Sequence, residues 1–361
     1  MNLPDRARLT IDLDALAHNR SVIAAHAPGA EIAAVVKADA YGLGSGPVAR
    51  RLHQEGTRSF FVARLSEGTI LRRELGGRAA HIFVLDGLLS GTADAMAAAG
   101  LTPVVSTRDQ LQLATIHARA GMPLEIALQI DTGMNRQGLT LADALAIASD
   151  HQTMRHLNIA LVMSHLGSAT DPGESRNAQQ LQRFQQTRTA FPTVRASLAA
   201  SAGGFLGAEY TYDLVRAGIS LYGGGPEERP DPRLRAVATL TAPILDIRHL
   251  QAGDRVDYGE SFTAPGDMRV AVIAAGYADG VIRAAMGRGM AWAAGAPRPL
   301  LVVNMDLTVV DIGDAPLAIG EHVELLGANA RLDDLASTAG TVAHEVLVRL
   351  STRAERRYIG A

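Results

Sequence analysis

EIAAVVKADAYGLGSGPVARRLHQEGTRSFFVA, residues 31–63, holds two short apolar runs with a helical segment between them. Residues 31–36 and 59–63 are largely apolar at successive positions, which is typical of strands buried on both faces. Between them, residues 44–55 place their apolar side chains at helical rather than alternating spacing. The stretch therefore predicts a strand, a helix and a second strand, with Lys37 at the end of the first strand.

The same alternation continues as far as residue 220. Six further runs have the character of strands, at residues 81–85, 101–105, 124–130, 159–163, 194–198 and 214–220. Helical spacing recurs between them, at residues 90–99, 107–120, 142–150 and 174–190. Eight strands separated by helices predict a (β/α)8 barrel of the TIM type. A doubly wound sheet stays open as the alternative, because periodicity alone does not determine strand order.

Residues 222–233, YGGGPEERPDPR, mark a domain boundary, because three glycines and three prolines interrupt the alternation. Beyond it, turn signals separate apolar runs at residues 236–247, 270–275, 300–303, 307–312 and 322–326, and one helix is expected at 332–340. We therefore expect a barrel over residues 1–228 and a mainly β C-terminal domain over residues 229–361. The N-terminal strand is compatible with either domain and is a candidate member of the β-domain sheet.

Composition excludes several classes of function. The 361 residues carry a formal net charge of −3 and no basic run, so we expect no nucleic-acid partner. The absence of cysteine excludes disulfides, cysteine-ligated zinc, iron–sulfur clusters and thiol nucleophiles. His151 and His156 are five residues apart, unlike two ligands on one helical face, so no metal is expected. Without a membrane-spanning run, and with acidic residues near the start, we expect a cytoplasmic enzyme.

Reactive side chains recur at or near the ends of the predicted strands. They are Lys37, Arg64, Asp86, Asp131, Arg136, His165, Ser201 and Arg216. The carboxyl ends of barrel strands meet at one rim, where the active sites of such barrels lie. Taken singly, each residue has an ordinary alternative, such as a solvated lysine, a structural histidine or an aspartate that forms a turn. Together they predict an active site on this rim.

Seven motifs, in order, carry a resemblance to one family. They are RARLTIDLDALAHN (6–19), AVVKADAYGLG (34–44), IDTGMNR (130–136), MSHLG (163–167), DLVRAGISLYG (213–223), IAAGYADG (273–280) and NMD (304–306). Along essentially its whole length the chain resembles the alanine racemases, barrel enzymes that depend on pyridoxal 5′-phosphate (PLP). The resemblance implies racemisation of a small amino acid, with L-alanine and D-alanine as the expected pair.

The resemblance assigns two acid/base groups. Lys37 would carry PLP as a Schiff base and act as one base, and Tyr277 from the second domain would be the other. Met305 and Asp306 would lie beside Tyr277, and Arg136, Tyr277 and Met305 would contact the substrate. Racemisation removes a proton from one face of Cα and returns one to the other, so two bases on opposite faces are required.

The resemblance also assigns the groups that hold the cofactor phosphate. They are Tyr41, Ser201 and the backbone N–H groups of Gly218 and Ile219. The barrel fold agrees, because loops after the seventh and eighth strands form the usual phosphate site of such barrels.

Three further residues would contact the cofactor ring. His165 would lie against the pyridine, Arg136 near the ring hydroxyl, and Arg216 at the pyridine nitrogen. PLP enzymes commonly place a carboxylate at that nitrogen, which shares a proton with it. An arginine does not give up its proton, so the ring would stay neutral and side reactions such as transamination would be disfavoured.

The chain departs from the family pattern at four positions. Gln129 stands where some members have a lysine that becomes carbamylated, so that modification cannot occur here. Ala217 replaces a proline, and Asn304 replaces serine or cysteine. Thr352 falls roughly where many members have a tyrosine on the cofactor phosphate. These departures concern phosphate contacts and the substrate channel.

In the family that the chain resembles, the β-domain of one subunit caps the barrel of the other. We therefore expect a homodimer with shared active sites. Two rival functions stay open: a barrel-type PLP decarboxylase and a non-catalytic PLP-binding protein. The first has an acidic residue in place of Arg216 and uses a cysteine, and the second lacks a β-domain. The choice between alanine and serine as substrate, and between a biosynthetic and a catabolic role, also stays open.

Overall fold

The computed structural model describes residues 6–350 and 352–360, which form two compact units. The barrel unit comprises residues 17–40 and 44–221. The β unit comprises residues 6–16, 41–43 and those from 222 onward. The second long segment of the β unit thus begins at residue 222. Within the described ranges, no helix is both long and apolar enough to cross a bilayer.

The barrel unit contains nine parallel strands, eight of which form the ring of the barrel. After β1 (Arg8–Asp12), which belongs to the β unit, the strands in chain order are β2 (Glu31–Val35), β3 (Ser59–Val62), β4 (His81–Val84), β5 (Thr102–Val105), β6 (Glu125–Asp131), β7 (Leu139–Thr140), β8 (Asn158–Met163), β9 (Arg195–Ser197) and β10 (Leu214–Ala217). The spatial order is β10-β2-β3-β4-β5-β6-β8-β9, and the short β7 pairs only with β6.

The ring of strands is closed between β9 and β10. Ala200 and Arg216 form a parallel bridge there, and the Arg216 N–H donates to the Ala199 carbonyl at 3.0 Å. This closure confirms the predicted barrel and excludes the doubly wound sheet. All eight predicted runs coincide with the barrel strands to within about three residues at either end.

Apolar side chains from seven of the eight strands fill the barrel. The cluster consists of Ala33, Phe61, Phe83, Val104, Ala127, Leu161, Met163 and Leu214. Phe61 and Phe83 stack with ring centroids 4.6 Å apart. The interior of the barrel is therefore a packed apolar core.

Nine helices lie between successive strands from β1 to β10. They are α1 (Leu13–His26), α2 (Ser45–Gln54), α3 (Leu65–Leu75), α4 (Ala93–Ala98), α5 (Arg108–Arg119), α6 (Leu141–Ser149), α7 (His151–Met154), α8 (Ser175–Ala190) and α9 (Ala208–Thr211). Local capping fixes several of their starts. The Thr140 hydroxyl accepts the N–H of Asp143 at 3.0 Å, and the Asp143 carboxylate accepts the N–H of Thr140, which forms a capping box at the start of α6.

Directly after β2 the backbone makes a left-handed helical turn over Lys37–Tyr41. From Ala38 to Tyr41, φ lies between 53° and 57°, a region that residues with a Cβ rarely occupy. The carboxylate of Glu67 in α3 accepts the Ala38 N–H at 3.0 Å and the Ala63 N–H at 2.7 Å. Glu67 thus fastens the chain where it leaves both β2 and β3.

The β unit is a sheet of mostly antiparallel strands. Its later elements are β11 (Ala238–Leu250), β12 (Arg255–Val256), β13 (Phe262–Thr263), β14 (Met268–Ile273), β15 (Met290–Ala293), β16 (Ala296–Val303), β17 (Thr308–Asp311), β18 (His322–Leu326), α10 (Leu332–Thr338), α11 (Ala343–Val348) and β19 (Glu355–Ile359). The sheet order is β14-β17-β16-β15-β18-β11-β1-β19, with an additional pairing of β14 to β11.

Strand β1 lies inside this sheet. Arg8 faces Thr241 of β11 in an antiparallel pair and Glu355 of β19 in a parallel pair. Neither β15 nor β19 is among the predicted strands. β15 has only four residues, and β19 contains three charged side chains, so neither presents a clear apolar run.

Candidate active site

Lys37 lies at the carboxyl end of β2 and is half-buried. Burial, together with the positive charge of Arg136, lowers the pKa of Lys37. A lower pKa increases the fraction of neutral amine, which is the form that attacks a carbonyl or accepts a proton. Lys37 is also the only lysine in the chain, because all the other basic residues in the Lys and Arg count are arginines.

Arg216 is buried at the end of β10 and is 3% exposed. Its Nη1 donates to the carbonyl and the hydroxyl of Ser197, at 3.0 and 2.7 Å. Its Nη2 donates to the carbonyls of Ser164 and Leu198 and to His165 Nδ1. Burial lowers the pKa of Arg216 to about 9, so the guanidinium remains charged at neutral pH. Arg216 therefore joins the ends of β8 and β9 to β10.

His165 follows β8 and is in contact with Arg216. Arg216 Nη2 lies 3.1 Å from His165 Nδ1. Since a guanidinium can only donate, Nδ1 accepts and the ring proton resides on Nε2. Burial first, and then the charges of Arg216, Arg136 and Lys37, lower the pKa of His165 to about 3. His165 is neutral at physiological pH.

Arg136 lies on the exposed loop after β6. The loop is held by Asp131, whose carboxylate accepts the N–H groups of Gly133, Met134 and Asn135 at 2.8–3.2 Å. Asp131 thus stabilises a turn, which is the non-catalytic role that the sequence also allowed for it. The charge of Arg136 acts on both Lys37 and His165. The structure therefore brings four of the predicted residues, Lys37, Arg136, His165 and Arg216, into one positively charged cluster.

A second polar group lies in the loops after β9 and β10. Ser201 Oγ accepts the Gly218 N–H at 2.8 Å and the Ser220 N–H at 3.3 Å. Ile219 begins a short 3-10 turn, Ile219–Tyr222. Within the part of the chain that the structure describes, Ser220 Oγ is buried and has no hydrogen-bond partner. Two hydroxyls and backbone amides from these two loops can accommodate a phosphate.

Tyr41 ends the left-handed turn and belongs to the β unit. Its ring packs on Tyr222, with centroids 4.7 Å apart, and on His344, at 5.6 Å. Burial raises the pKa of Tyr41, so the phenol keeps its proton and can donate a hydrogen bond. Two residues further on, the carbonyl of Leu43 accepts a hydrogen bond from the Tyr358 hydroxyl at 2.9 Å.

The β unit gathers the remaining predicted residues. Tyr277 begins the 3-10 turn Tyr277–Asp279, and its N–H donates to the Asn304 carbonyl at 2.8 Å. The Ala278 N–H donates to the Met305 carbonyl at 2.9 Å. The side chains of Tyr277 and Met305 are 43% and 53% exposed. Asp306 is bound by Arg353.

Sequence reasoning missed Ser220 and Arg353. Ser220 lies in the quoted motif directly after Ile219, so its position could have suggested it. Arg353 binds Asp279 from 74 residues away and has no local signal. Of the departures from the family pattern, Gln129 is half-buried on β6, Ala217 is buried on β10 and Thr352 is exposed.

A closed barrel with a lysine at the end of its first strand, followed by a β unit with an exposed tyrosine, defines a class of two-unit barrel enzymes. The family model described as "Alanine racemase, N-terminal domain" matches residues 11–226, and "Alanine racemase, C-terminal domain" matches residues 237–358. The chain belongs to the alanine racemase family.

Individual relatives are similar over more than nine tenths of their length. The catabolic alanine racemase of Agrobacterium fabrum is 42% identical over 356 residues, which cover 97% of this chain and 92% of that protein. An alanine racemase of Methylobacterium nodulans is 43% identical, over 98% and 96%. Among solved structures, alanine racemase from Bartonella henselae, described as having covalently bound pyridoxal phosphate, matches with a TM-score of 0.91 at 32% identity, over 98% and 99% of the two chains.

Proposed function

We propose that this protein interconverts L-alanine and D-alanine with PLP attached to Lys37. The observation that carries the proposal is the single lysine of the chain, half-buried at the end of β2 with a lowered pKa. Arginine does not replace lysine in bonding covalently to an aldehyde, and Lys37 is the one side-chain amine of the chain. The alanine racemase names of the relatives, and the PLP bound covalently in the Bartonella henselae protein, support the same reaction.

The residues present fit PLP. The unpartnered hydroxyl of Ser220 and the hydroxyl of Ser201 are suited to its phosphate. The Gly218 N–H donates to Ser201 Oγ and remains a proposed phosphate ligand. The neutral ring of His165 is suited to the pyridine ring. Because Nη1 and Nη2 of Arg216 already donate to protein acceptors, Arg216 would offer its Nε–H to the ring nitrogen. Tyr41, as a buried and protonated phenol, and the Ile219 N–H remain proposed phosphate ligands.

Lys37 and Tyr277 are the proposed bases. PLP, when bound, withdraws electrons from the substrate Cα and makes its proton acidic. Lys37 would accept or donate a proton on one face of Cα and Tyr277 on the other. Arg136 would bind the substrate carboxylate, with Met305 and Asp306 beside Tyr277.

Arg216 also favours racemisation over decarboxylation. The rival decarboxylase has an acidic residue at this position and requires a cysteine, and this chain has neither. A charged guanidinium at the pyridine nitrogen donates a hydrogen bond without giving up its proton. The β unit, which carries Tyr277, argues against a non-catalytic PLP-binding barrel.

We propose in addition that the working form is a homodimer with shared active sites. Tyr277 and Met305 are large apolar side chains that remain about half exposed, and Arg136 is exposed on its loop. A proton-transfer site has to exclude water, and a second subunit can cover these groups. A cytoplasmic location remains a prediction from the sequence.

Borohydride reduction tests the attachment of PLP. The yellow protein should lose its colour and retain one cofactor on the peptide that contains Lys37. With one lysine in the chain, the α-amino group is the only competing amine. Lys37→Arg is the matched control, because it keeps the charge and removes the amine. It should be colourless, unlabelled and unable to change the optical rotation of any amino acid in a panel. Label on the α-amino group, with Lys37 unmodified, would contradict the assignment.

A further inference from the structure

The turn that carries Tyr277, residues 276–279, packs closely against the turn that carries Met305, residues 304–306. Besides the two backbone hydrogen bonds described above, Gly276 marks a very close approach. A Cβ at Gly276 would lie 2.2 Å from the Asn304 carbonyl oxygen and 2.4 Å from that of Met305. The backbone position of Tyr277 is therefore determined by how the two turns are held together.

Arg353 contacts both turns through their carboxylates. Its Nε donates to Asp279 Oδ1 at 2.7 Å, and its Nη2 donates to Asp279 Oδ2. Its Nη1 donates to Asp306 Oδ1. Asp279 ends the turn of Tyr277, and Asp306 directly follows Met305. The planar guanidinium thus connects the two turns in one defined geometry.

Asp279 is the buried member of this network. Its residue is 4% exposed, and Oδ2 also accepts the Gly276 N–H at 2.9 Å. A carboxylate at this depth requires a cation, and Arg353 is the cation that contacts it. Asp279 and Asp306 raise the pKa of Arg353, so its charge is permanent. Loss of Arg353 would leave the turn of Tyr277 with an unpaired buried charge, and the turn would be expected to shift.

We propose that Arg353 is a positioning residue, which holds the Tyr277 turn against the Met305–Asp306 turn and so sets the place of the Tyr277 phenol. The inference rests on the proposed role of Tyr277 as the second base. Its effect is expected on proton transfer by Tyr277 and not on proton transfer by Lys37.

Amide hydrogen exchange tests the positioning directly. In Arg353→Met, the peptide that covers residues 276–281 should exchange about tenfold faster, because the Tyr277 and Ala278 amides lose their fixed acceptors. Arg349→Met is the matched control. Arg349 is an exposed arginine four residues away, paired only with Glu345 in the described contacts. This control should leave the exchange of that peptide unchanged. Unchanged exchange in Arg353→Met would overturn the proposal.

Deuterium incorporation in D2O tests the effect on proton transfer. From one enantiomer Lys37 removes the Cα proton, and it can return a deuteron to the same face, which exchanges the hydrogen with retention. Inversion requires Tyr277. In Arg353→Met, inversion should fall about ten- to a hundredfold. Retention exchange of that one enantiomer should persist, so the ratio of exchange to inversion rises for it alone.

Two further variants keep the result decisive. Arg353→Lys keeps the charge without the planar fork and should fall between wild type and Arg353→Met. The double variant Arg353→Met with Asp279→Asn leaves no buried charge unpaired, and should still raise the ratio.

Tyr277→Phe provides the reference pattern. If Tyr277→Phe raises the ratio for one enantiomer and Arg353→Met leaves it unchanged, the positioning role is wrong. If Tyr277→Phe itself leaves the ratio unchanged, the proposed function of Tyr277 is wrong instead. A merely structural Arg353 would lower exchange and inversion together.

Discussion

The His165–Arg216 pair shows how burial determines a protonation state at a single residue. Arg216 keeps its charge in a buried position because five acceptors surround Nη1 and Nη2. One of these acceptors is His165 Nδ1, and a second cation on that ring would face the guanidinium directly. The neutral state of His165 is therefore a consequence of the same contacts that hold Arg216.

This pair predicts a dependence of stability on pH. His165 has a pKa of about 3 in the folded chain, against 6.5 for an ordinary histidine. Between these values the unfolded chain binds a proton that the folded chain does not, so stability falls as the pH falls below 6.5. The slope is about 1.4 kcal/mol per pH unit within this window. In the apoprotein, lowering the pH from 7 to 5 should cost wild type about 2 kcal/mol more than it costs His165→Gln.

Urea unfolding at both pH values measures this difference. The variant His151→Gln, on the exposed helix α7, controls for the loss of an imidazole side chain. Equal pH effects in wild type and His165→Gln would show that His165 is protonated in the folded protein below pH 6.5.

The proximity of the residues at the strand ends could be predicted, because barrel topology brings those ends together. Lys37, Arg136, His165 and Arg216 each follow or end an apolar run, and the closed barrel makes them neighbours. The anchors of Arg216 could not be predicted in the same way. They are mostly backbone carbonyls, which every residue possesses, so the sequence at Ser164 or Leu198 carries no signal for them.

At the scale of elements, the left-handed turn after β2 is the least expected part of the chain. Ala38, Asp39 and Ala40 have no glycine among them, and alanine favours the right-handed helix. Nothing local predicts positive φ at these positions. The turn is imposed by tertiary contacts such as the Glu67 carboxylate at the Ala38 N–H. The sequence does not predict strands β15 and β19 for a similar reason. Their extended conformation depends on pairing with neighbouring strands rather than on an apolar pattern of their own.

The turn predicts that a glycine would stabilise it. A residue with a Cβ loses about 1–2 kcal/mol in the left-handed region, and glycine loses about 0.5–1 kcal/mol in additional backbone entropy. Ala38→Gly, at an exposed position with φ 53°, should therefore raise the free energy of unfolding by about 0.5–1 kcal/mol. Urea denaturation measures the change.

Ala118→Gly in α5 is the matched control for Ala38→Gly. It places the same substitution in a right-handed helix, where the cost should be about 1 kcal/mol. A loss of stability of the same size in both variants would mean that the turn at Ala38 is not left-handed in solution.

At the scale of the whole molecule, the proposed homodimer predicts complementation between inactive variants. Lys37→Ala and Tyr277→Phe homodimers should each be nearly inactive, because every site lacks one base. If each site draws Lys37 from one subunit and Tyr277 from the other, a mixed dimer holds one intact site. Activity should then recover to about half of wild type per mixed dimer. Subunit exchange followed by a racemisation assay measures it.

Two barrel variants provide the control for complementation. Lys37→Ala mixed with Arg136→Ala leaves a defective barrel at both sites, so this mixture should stay inactive. A mixture of Lys37→Ala and Tyr277→Phe that forms mixed dimers without recovering activity would show that Tyr277 serves its own chain or has no catalytic part.

Glycine and proline interrupt the alternation at residues 222–233, so the sequence itself predicts a change of organisation there. The assignment of residues 41–43 to the β unit was not visible. It depends on contacts such as Tyr358 with Leu43 and the Tyr41 ring with Tyr222, between residues far apart in the chain. Long-range pairings of this kind leave no periodic trace in the residues that make them.

Because β1 lies between β11 and β19, it is translated long before either of its two neighbours in the sheet. Leu9 and Ile11, fully buried in the finished sheet, stay uncovered while the entire barrel unit is translated. At roughly 5–20 residues per second, the delay before β11 emerges is on the order of ten seconds or more. One side of β1 therefore stays unpaired until β19 has been made, and a chain that terminates before β19 leaves β1 as an open edge.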